Sequence, residues 1–260
     1  MKPKKSLGQH WLEDNVILQS ICEVAGVESG DIVLEIGPGK GTLTRVLLEK
    51  GANVTAVELD EDLAAELEKQ TSENFRVVRQ DILNFNLNEL PLGYKVVANI
   101  PYYLTSNLIR ILSESSNPAD SITLLVQKEV AERVCAEPGE MSLLSVSAQI
   151  YFQCAPGPLV PAEKFIPPPK VDSQVVHMVR REKPLIAEKA KKHFFRIVKA
   201  GFSSRRKTIE NSLSGGLRLS KQELRNFLKS AGIEPNKRPQ ELSIKNWEKI
   251  SEAIPPAELE

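Results

Sequence analysis

Cysteine is scarce in this chain, with only Cys22, Cys135 and Cys154 among 260 residues. An odd number of scattered cysteines makes no complete disulfide framework, and none of them stands in a Cys-x-x-Cys pair that would hold a metal ion. These spacings exclude a disulfide-stapled secreted scaffold and a cysteine-based metal centre. We therefore expect a cytoplasmic protein with reduced thiols and without a resident metal.

Long apolar runs are also missing. No segment approaches the roughly 18 residues of a membrane-spanning helix, and no apolar stretch follows the basic residues 1–5 to make a secretory signal. We expect no membrane association. With 41% hydrophobic and 26% charged residues, the composition is that of a globular protein.

A net charge is absent as well, since 34 basic residues balance 34 acidic ones. The balance conceals an uneven distribution along the chain. Residues 1–179 contain 15 basic and 24 acidic side chains, whereas residues 180–260 contain 19 and 10. A basic C-terminal third is typical of a segment that meets nucleic acid, although a solvated helical surface has a similar composition.

Short apolar segments alternate with helical patterns in the first half of the chain. The predicted strands cover residues 31–36, 53–58, 75–80, 94–98 and 121–126. The predicted helices between them cover residues 42–50, 60–70, 104–113 and 128–135. This alternation predicts parallel βαβ units in a doubly wound sheet, whose ligands lie beyond the carboxyl ends of the strands.

The pattern changes in the second half. Residues 156–169 include six prolines, which favour an extended loop, and residues 171–180 read as a sixth strand. Amphipathic helices are then predicted over 187–200, 205–213, 220–231 and 244–253, the third starting at a capping box formed by Ser220 and Glu223. We predict an α/β domain with a Rossmann-like sheet over residues 1–183 and a small all-α domain over 184–260.

A glycine-rich turn follows the first strand, where Glu35 precedes Gly37, Gly39 and Gly41. Glycines let the backbone approach a ligand closely. The spacing of a Walker A loop is absent, and a dinucleotide fingerprint would need glycine where Thr42 stands. The G-x-G-x-G spacing after an acidic residue instead resembles motif I of S-adenosylmethionine methyltransferases.

Two acidic residues end the next two strands. Glu58 ends the second strand, where a carboxylate can accept hydrogen bonds from both ribose hydroxyls. Asp81 follows the third strand, where it can accept a hydrogen bond from an adenine amine. Either residue alone would be read as a loop acid or a helix cap. Their succession after the glycine-rich turn favours an adenosyl cofactor.

The fourth strand enters the tetrapeptide Asn99-Ile100-Pro101-Tyr102. An exocyclic aromatic amine is a weak nucleophile, and a site can help by accepting hydrogen bonds from its hydrogens. The Asn99 side chain and the Ile100 carbonyl supply two acceptors, Pro101 fixes the turn, and Tyr102 offers a ring for stacking on a base. A proline turn over a core tyrosine is the alternative, which the position after the fourth strand disfavours.

Together these motifs resemble the KsgA family of small-subunit rRNA adenine dimethyltransferases. The resemblance covers nearly the whole chain. Besides the cofactor and tetrapeptide motifs, it rests on residues 5–12 (KSLGQHWL), 126–133 (VQKEVAER), 165–173 (FIPPPKVDS) and 202–208 (FSSRRKT). Trp11 stands where the family usually has phenylalanine, and residues 141–146 lack the tyrosine and arginine that the family tends to have there.

The resemblance implies dimethylation, with S-adenosylmethionine, of two adjacent adenines in the 3′-terminal hairpin loop of 16S rRNA during small-subunit maturation. It implies that His10, Leu12, Gly37, Gly39, Glu58, Asp81 and Asn99 line the cofactor pocket. Tyr102 would stack on the target adenine, with Phe165 as a second aromatic wall or as a core residue. Arg205, Arg206 and Lys207 would contact rRNA phosphates.

We expect a monomer that acts on the immature small subunit. Two other hypotheses remain: a 23S rRNA dimethylase of the antibiotic-resistance type, and a non-catalytic ribosome-assembly factor that keeps the fold. The basic segment 205–208 disfavours the first, and the intact cofactor and tetrapeptide motifs disfavour the second.

Overall fold

The computed structural model describes residues 3–4, 7–70 and 72–256. Lys5 and Ser6, which open the first family-like segment, lie outside these residues. Two compact units are present. The first contains Met1–Glu132 and Phe152–Arg180, and the second contains Arg133–Tyr151 and Arg181–Glu260. The chain therefore leaves the first unit and returns to it, whereas the predicted domains meet at a single boundary after residue 183.

Nine strands are present among the described residues. They are β1 (Trp11–Leu12), β2 (Ile32–Ile36), β3 (Asn53–Glu58), β4 (Phe75–Arg79), β5 (Lys95–Asn99), β6 (Ser121–Gln127), β7 (Phe152–Val160), β8 (Phe165–Ile166) and β9 (Ser173–Arg180). Seven of them form one sheet in the order β4-β3-β2-β5-β6-β9-β7, and β1 pairs with β8 in a second, two-stranded sheet.

The five strands β2 to β6 pair in parallel, as the alternating pattern predicted. The helices that alternate with them are α2 (Thr42–Glu49), α3 (Glu61–Leu67), α4 (Thr105–Glu114) and α5 (Lys128–Val134), after α1 (Asn15–Val24) at the start. Strand β6 is buried along almost its whole length, which suits the centre of a sheet covered on both faces. The predicted doubly wound fold is confirmed.

The prediction of an extended loop over residues 156–169 is wrong in part. Pro156 and Pro158 lie within β7, which pairs antiparallel with β9 at the edge of the sheet. The register shifts between Pro156 and Leu159. An edge strand tolerates proline because the side facing away from the sheet needs no amide donor. Residues 165–166 form β8 rather than continuing the loop.

The second unit is helical. Its helices are α6 (Leu143–Gln149), α7 (Glu188–Phe202), α8 (Ile209–Leu217), α9 (Lys221–Ser230) and α10 (Ile244–Ala253). The predicted capping box is confirmed, since Ser220 and Glu223 exchange hydrogen bonds at the start of α9. Phe194, Leu213 and Trp247 are fully buried in this unit.

In the part of the chain that the structure describes, no helix has the length and apolar character needed to cross a membrane. The histidine, cysteine and acidic side chains of the same residues form no group of three or more suited to a metal ion.

The packing of α7 on α8 generates a prediction about two adjacent glycines. A Cβ atom on Gly216 would lie 2.6 Å from the Cβ and 2.9 Å from the Cα of Ala200 in α7, whereas one on Gly215 would meet nothing within 4 Å. Gly216→Ala should lower the free energy of unfolding by about 1–3 kcal/mol, because overpacking forces the helices apart. Gly215→Ala, the matched control, should raise it by about 0.5–1 kcal/mol through helix propensity. Urea titrations that gave both variants the same stability would contradict this account of the helix contact.

Candidate active site

The carboxyl ends of β4, β3, β2 and β5 lie side by side in the sheet and open into one pocket. The pocket encloses about 1160 Å³, its open mouth included. Among its lining residues are His10, Leu12, Gly37, Gly39, Glu58, Asp81, Asn99, Ile100, Pro101 and Tyr102. The structure thus brings together the residues predicted to bind the cofactor and those of the tetrapeptide.

The glycine-rich turn leaves β2 with its backbone in the left-handed region. Gly37 has φ of 65° and Gly41, which caps α2, has φ of 75°. A Cβ atom on Gly41 would lie 2.7 Å from Cδ2 of Leu67, so the turn also needs glycine for close packing. The Gly37 amide donates to the Val57 carbonyl at 2.9 Å, which fastens the turn to the neighbouring strand.

Glu58 is the acidic residue most closely tied to this turn. Its side chain is buried, with the residue only 6% exposed. Oε2 accepts a hydrogen bond from the Gly39 amide at 3.0 Å, and Oε1 accepts one from the Asp60 amide at 2.9 Å. Burial raises the pKa of this carboxyl. Each oxygen keeps a lone pair, so the carboxylate can still accept from two ligand hydroxyls.

Glu35 is more deeply buried than Glu58 and also lines the pocket. The hydroxyl of Thr44 donates to its Oε2 at 2.6 Å. Burial raises the pKa of Glu35 to about 8. This carboxyl is therefore mainly protonated near neutral pH, and it connects β2 to α2 without adding a full negative charge to the pocket.

Asp81 caps a short turn and also lines the pocket. Its Oδ1 accepts a hydrogen bond from the Leu83 amide at 2.9 Å and so caps the short 3-10 turn Ile82–Asn84. Within the described ranges its other oxygen has no hydrogen-bond partner. Asp81 lines the same pocket as Glu58, and this second oxygen is able to accept a hydrogen bond from an amine.

Asn99 is the last residue of β5 and its carboxamide is oriented by the chain itself. Nδ2 donates to the main-chain carbonyl of His10 at 3.4 Å. Because the nitrogen faces His10, the side-chain oxygen is left as a hydrogen-bond acceptor on the other side. Ile100 and Pro101 follow directly along the pocket wall.

Tyr102 is held at its hydroxyl and at one face of its ring. Its hydroxyl shares a 2.7 Å hydrogen bond with Oγ of Ser173. The ring of His10 stacks on it, with 5.9 Å between centroids and 18° between planes. The Nδ1 of His10 in turn donates to the Pro167 carbonyl at 2.7 Å. Sequence reasoning missed this stack because nothing local connects residue 10 with residue 102.

Trp11, the departure from the family pattern, packs against the glycine-rich turn. Its indole lies 3.5 Å from the position that a Cβ atom on Gly39 would take. The ammonium of Lys40 lies 4.1 Å from the ring centroid and pairs with Glu13 at 2.9 Å. The buried Nε1 of Trp11 has no hydrogen-bond partner in the described chain.

Phe165 does not line the pocket. It is 2% exposed, pairs with Leu12 between β8 and β1, and belongs to the hydrophobic core of the first unit. Of its two expected roles, the geometry supports the core residue. The basic residues Arg205, Arg206 and Lys207 are all exposed, in the turn between α7 and α8 of the second unit.

These features fit an adenosyl group well. A glycine turn allows close approach, Glu58 offers two acceptor oxygens, and Asp81 keeps one free acceptor at the next strand end. A Rossmann-like sheet with this pocket is typical of enzymes that bind a nucleoside cofactor. The tetrapeptide beside it is the segment that the sequence predicted to hold an amine.

Comparison with known proteins identifies the family. A family model described as ribosomal RNA adenine dimethylase matches residues 1–255. The ribosomal RNA small subunit methyltransferase A of Clostridium botulinum (strain Okra / Type B1) is 42% identical over 261 residues, covering 97% of this chain and 94% of the relative. The protein of the same name from Dehalococcoides mccartyi (strain CBDB1) is 38% identical over 255 residues, covering 96% and 88%.

Solved structures agree with this result. The crystal structure of the 23S rRNA methyltransferase ErmE is 28% identical, with a TM-score of 0.75 over 94% of this chain and 98% of that one. A dimethyladenosine transferase from Plasmodium falciparum is 26% identical, with a TM-score of 0.77 over 93% and 96%. The chain belongs to the ribosomal RNA adenine dimethylase family. It is therefore an S-adenosylmethionine-dependent methyltransferase with ribosomal RNA as its substrate, as the motifs predicted.

The buried Glu35 generates a pH prediction. Its pKa of about 8 in the fold lies above the ordinary 4.5, so the unfolded chain ionises first. The group's contribution to stability is therefore complete below the ordinary pKa and is lost as pH rises towards the folded value, at up to about 1.4 kcal/mol per pH unit. Glu35→Gln, which stays neutral, should show a weaker decline between these limits.

Denaturant titrations across pH measure this difference. Glu129→Gln, which removes an exposed carboxyl in α5, controls for the loss of one acidic group. Parallel stability curves for the wild type and Glu35→Gln would contradict the raised pKa.

Glu58 generates a binding prediction. Glu58→Ala should weaken S-adenosylmethionine binding by about 1–3 kcal/mol, because hydrogen bonds to a charged acceptor are lost. Calorimetric titration measures the dissociation constant, with the exposed Glu61→Ala as the control in α3. An unchanged constant in Glu58→Ala would refute the assignment of its carboxylate to the ribose.

Proposed function

We propose that this enzyme dimethylates N6 of two adjacent adenines in the 3′-terminal hairpin loop of 16S rRNA during maturation of the small ribosomal subunit. The observation that carries the proposal is the Asn99 carboxamide, held by the His10 carbonyl at the end of β5 in the same pocket as Glu58 and Asp81. The names of the relatives support the small subunit as the site of action.

The pocket divides into a cofactor side and an acceptor side. On the cofactor side, Glu58 accepts from the ribose hydroxyls, Asp81 accepts from the adenine amine, and Gly37 and Gly39 allow close approach. His10 and Leu12 complete this wall. When bound, S-adenosylmethionine supplies a methyl group on a positively charged sulfur.

On the acceptor side, the residues orient an amine. The Asn99 side-chain oxygen and the Ile100 carbonyl accept hydrogen bonds from the two N6 hydrogens, and this directs the nitrogen lone pair towards the methyl group. Pro101 fixes the turn that makes these acceptors converge. The ring of Tyr102, anchored through Ser173, stacks on the extruded adenine. Phe165 is not needed in this arrangement.

The remaining assignments concern the whole protein. Residues 1–183 form the catalytic domain and residues 184–260 the rRNA-binding domain, with Arg205, Arg206 and Lys207 on rRNA phosphates. The enzyme acts as a monomer in the cytoplasm, on an immature small subunit. The exposure of the three cations and the +9 excess of basic residues after residue 179 support the contact with rRNA phosphates.

A second candidate is dimethylation of 23S rRNA, which the structural likeness to ErmE favours. The small subunit is favoured because relatives named for it are 38% and 42% identical over 88% and 94% of their lengths. The 28% identity to ErmE is lower. The two candidates share their chemistry and differ in the RNA that is recognised.

The test compares labelled methyl transfer to unmethylated small subunits and to large subunits. We expect transfer to the small subunit, and at least a hundredfold loss of rate in Asn99→Ala with a cofactor dissociation constant close to that of the wild type. The exposed Asn107→Ala in α4 is the control and should keep the wild-type rate. Labelling of large subunits alone would contradict the substrate. Substantial activity in Asn99→Ala would contradict the amine-orienting role.

A further inference from the structure

One face of α7 in the second unit carries four basic side chains. Lys189, Lys192, Arg196 and Lys199 are exposed. Their spacings of three, four and three residues bring them onto one side of a helix with 3.6 residues per turn. The side opposite them is buried, and it contains Phe194, Ile197, Val198 and Gly201. We call these four cations the α7 basic stripe.

The α7 basic stripe makes no ion pair with any residue that the structure describes. The helix contains one acidic residue, Glu188, and this residue pairs with Lys191 on the flank instead. The ammonium of Lys191 also lies 4.6 Å from the ring centroid of Tyr151. Lys191, next to the stripe, thus makes charge interactions within the fold, whereas the four cations of the stripe make no ion pair with the described residues.

Such an arrangement does not help the helix to form. Like charges three or four residues apart destabilise a helix by roughly 0.2–0.5 kcal/mol per pair, and acidic residues at these spacings would stabilise it. The stripe contains three such pairs: Lys189 with Lys192, Lys192 with Arg196, and Arg196 with Lys199. A solvated helix face usually mixes both signs of charge, so this face is better explained by an anionic partner.

The stripe also leads into the basic turn already assigned to RNA. Helix α7 ends at Phe202, and Arg205, Arg206 and Lys207 follow in the exposed turn. At about 1.5 Å per residue, Lys189 and Lys199 lie about 15 Å apart along the axis. The stripe is therefore long enough to follow a segment of one RNA strand.

We propose that the α7 basic stripe binds the sugar–phosphate backbone of the rRNA substrate and extends the contact made by the 205–207 turn. The inference rests on the proposed function, because it takes rRNA as the partner. Phosphate contacts of this kind position a protein on RNA without reading its sequence. The stripe therefore contributes affinity and orientation, and the pocket of the first unit selects the adenine.

The test removes the four charges and measures RNA affinity against salt. A variant with Lys189→Gln, Lys192→Gln, Arg196→Gln and Lys199→Gln should make the negative slope of log K against log salt shallower by about 3, since each lost phosphate contact reduces its magnitude by about 0.7–0.9. The matched control replaces the exposed Lys221, Lys229, Lys245 and Lys249 of α9 and α10 by Gln. It removes the same net charge from the same unit and should change the slope by less than 1.

Binding is measured with the full-length protein and a 16S rRNA transcript between about 50 and 200 mM salt, because the affinity from phosphate contacts falls steeply over this range. Circular dichroism and the cofactor dissociation constant verify that each variant is folded. A stripe variant with the slope of the wild type, or a control variant with an equal loss, would overturn the proposal.

Different results would contradict the stripe proposal and the proposed function. If the stripe variant binds RNA as the wild type does while both methylate small subunits, the stripe proposal is wrong and the function stands. If the wild type methylates only large subunits, the proposed function is wrong. The salt slopes measured with 23S rRNA then decide whether the stripe binds that RNA instead.

Discussion

The hydrogen bond from the Gly39 amide to the buried carboxylate of Glu58 is the contact on which the cofactor side of the pocket depends. It joins the turn after β2 to the end of β3, and the Asp60 amide occupies the second oxygen. A buried carboxylate is costly unless such donors compensate for lost water. Because both donors are backbone amides, the position of this acid is fixed by the course of the chain and is ready to accept from a ribose.

On the acceptor side of the pocket, several contacts are made by a single residue, His10. Its carbonyl orients the carboxamide of Asn99, its ring covers one face of Tyr102, and its Nδ1 is tied to the Pro167 carbonyl. One residue thus connects the β5 end, the tetrapeptide turn and the proline-rich segment. No motif in the sequence links position 10 to the tetrapeptide.

Much of this architecture could be predicted from local patterns. Strand β3 has its predicted bounds, 53–58, and Glu58, Asp81 and Asn99 meet because parallel strands end at one edge. Other features carry no local signal. The two-residue pairing of β1 with β8 joins positions about 150 residues apart, and Pro156 in β7 is tolerated only because that strand lies at the sheet edge. Helix α1 is different, because the sequence does contain a local signal for it. Asp14 caps the helix, and Leu18, Ile21 and Cys22 are buried at helical spacing. The sequence prediction did not include this helix.

In the proposed function, one sheet edge presents an adenosyl cofactor to an exocyclic amine held by the tetrapeptide. The most direct test is mass spectrometry of both ribonuclease fragments and nucleosides from unmethylated small subunits that were incubated with the enzyme and isotope-labelled S-adenosylmethionine. We expect N6,N6-dimethyladenosine at two adjacent adenines of the 3′-terminal hairpin loop, with both methyl groups labelled. Label on a ring nitrogen, on carbon or on a ribose oxygen would contradict it.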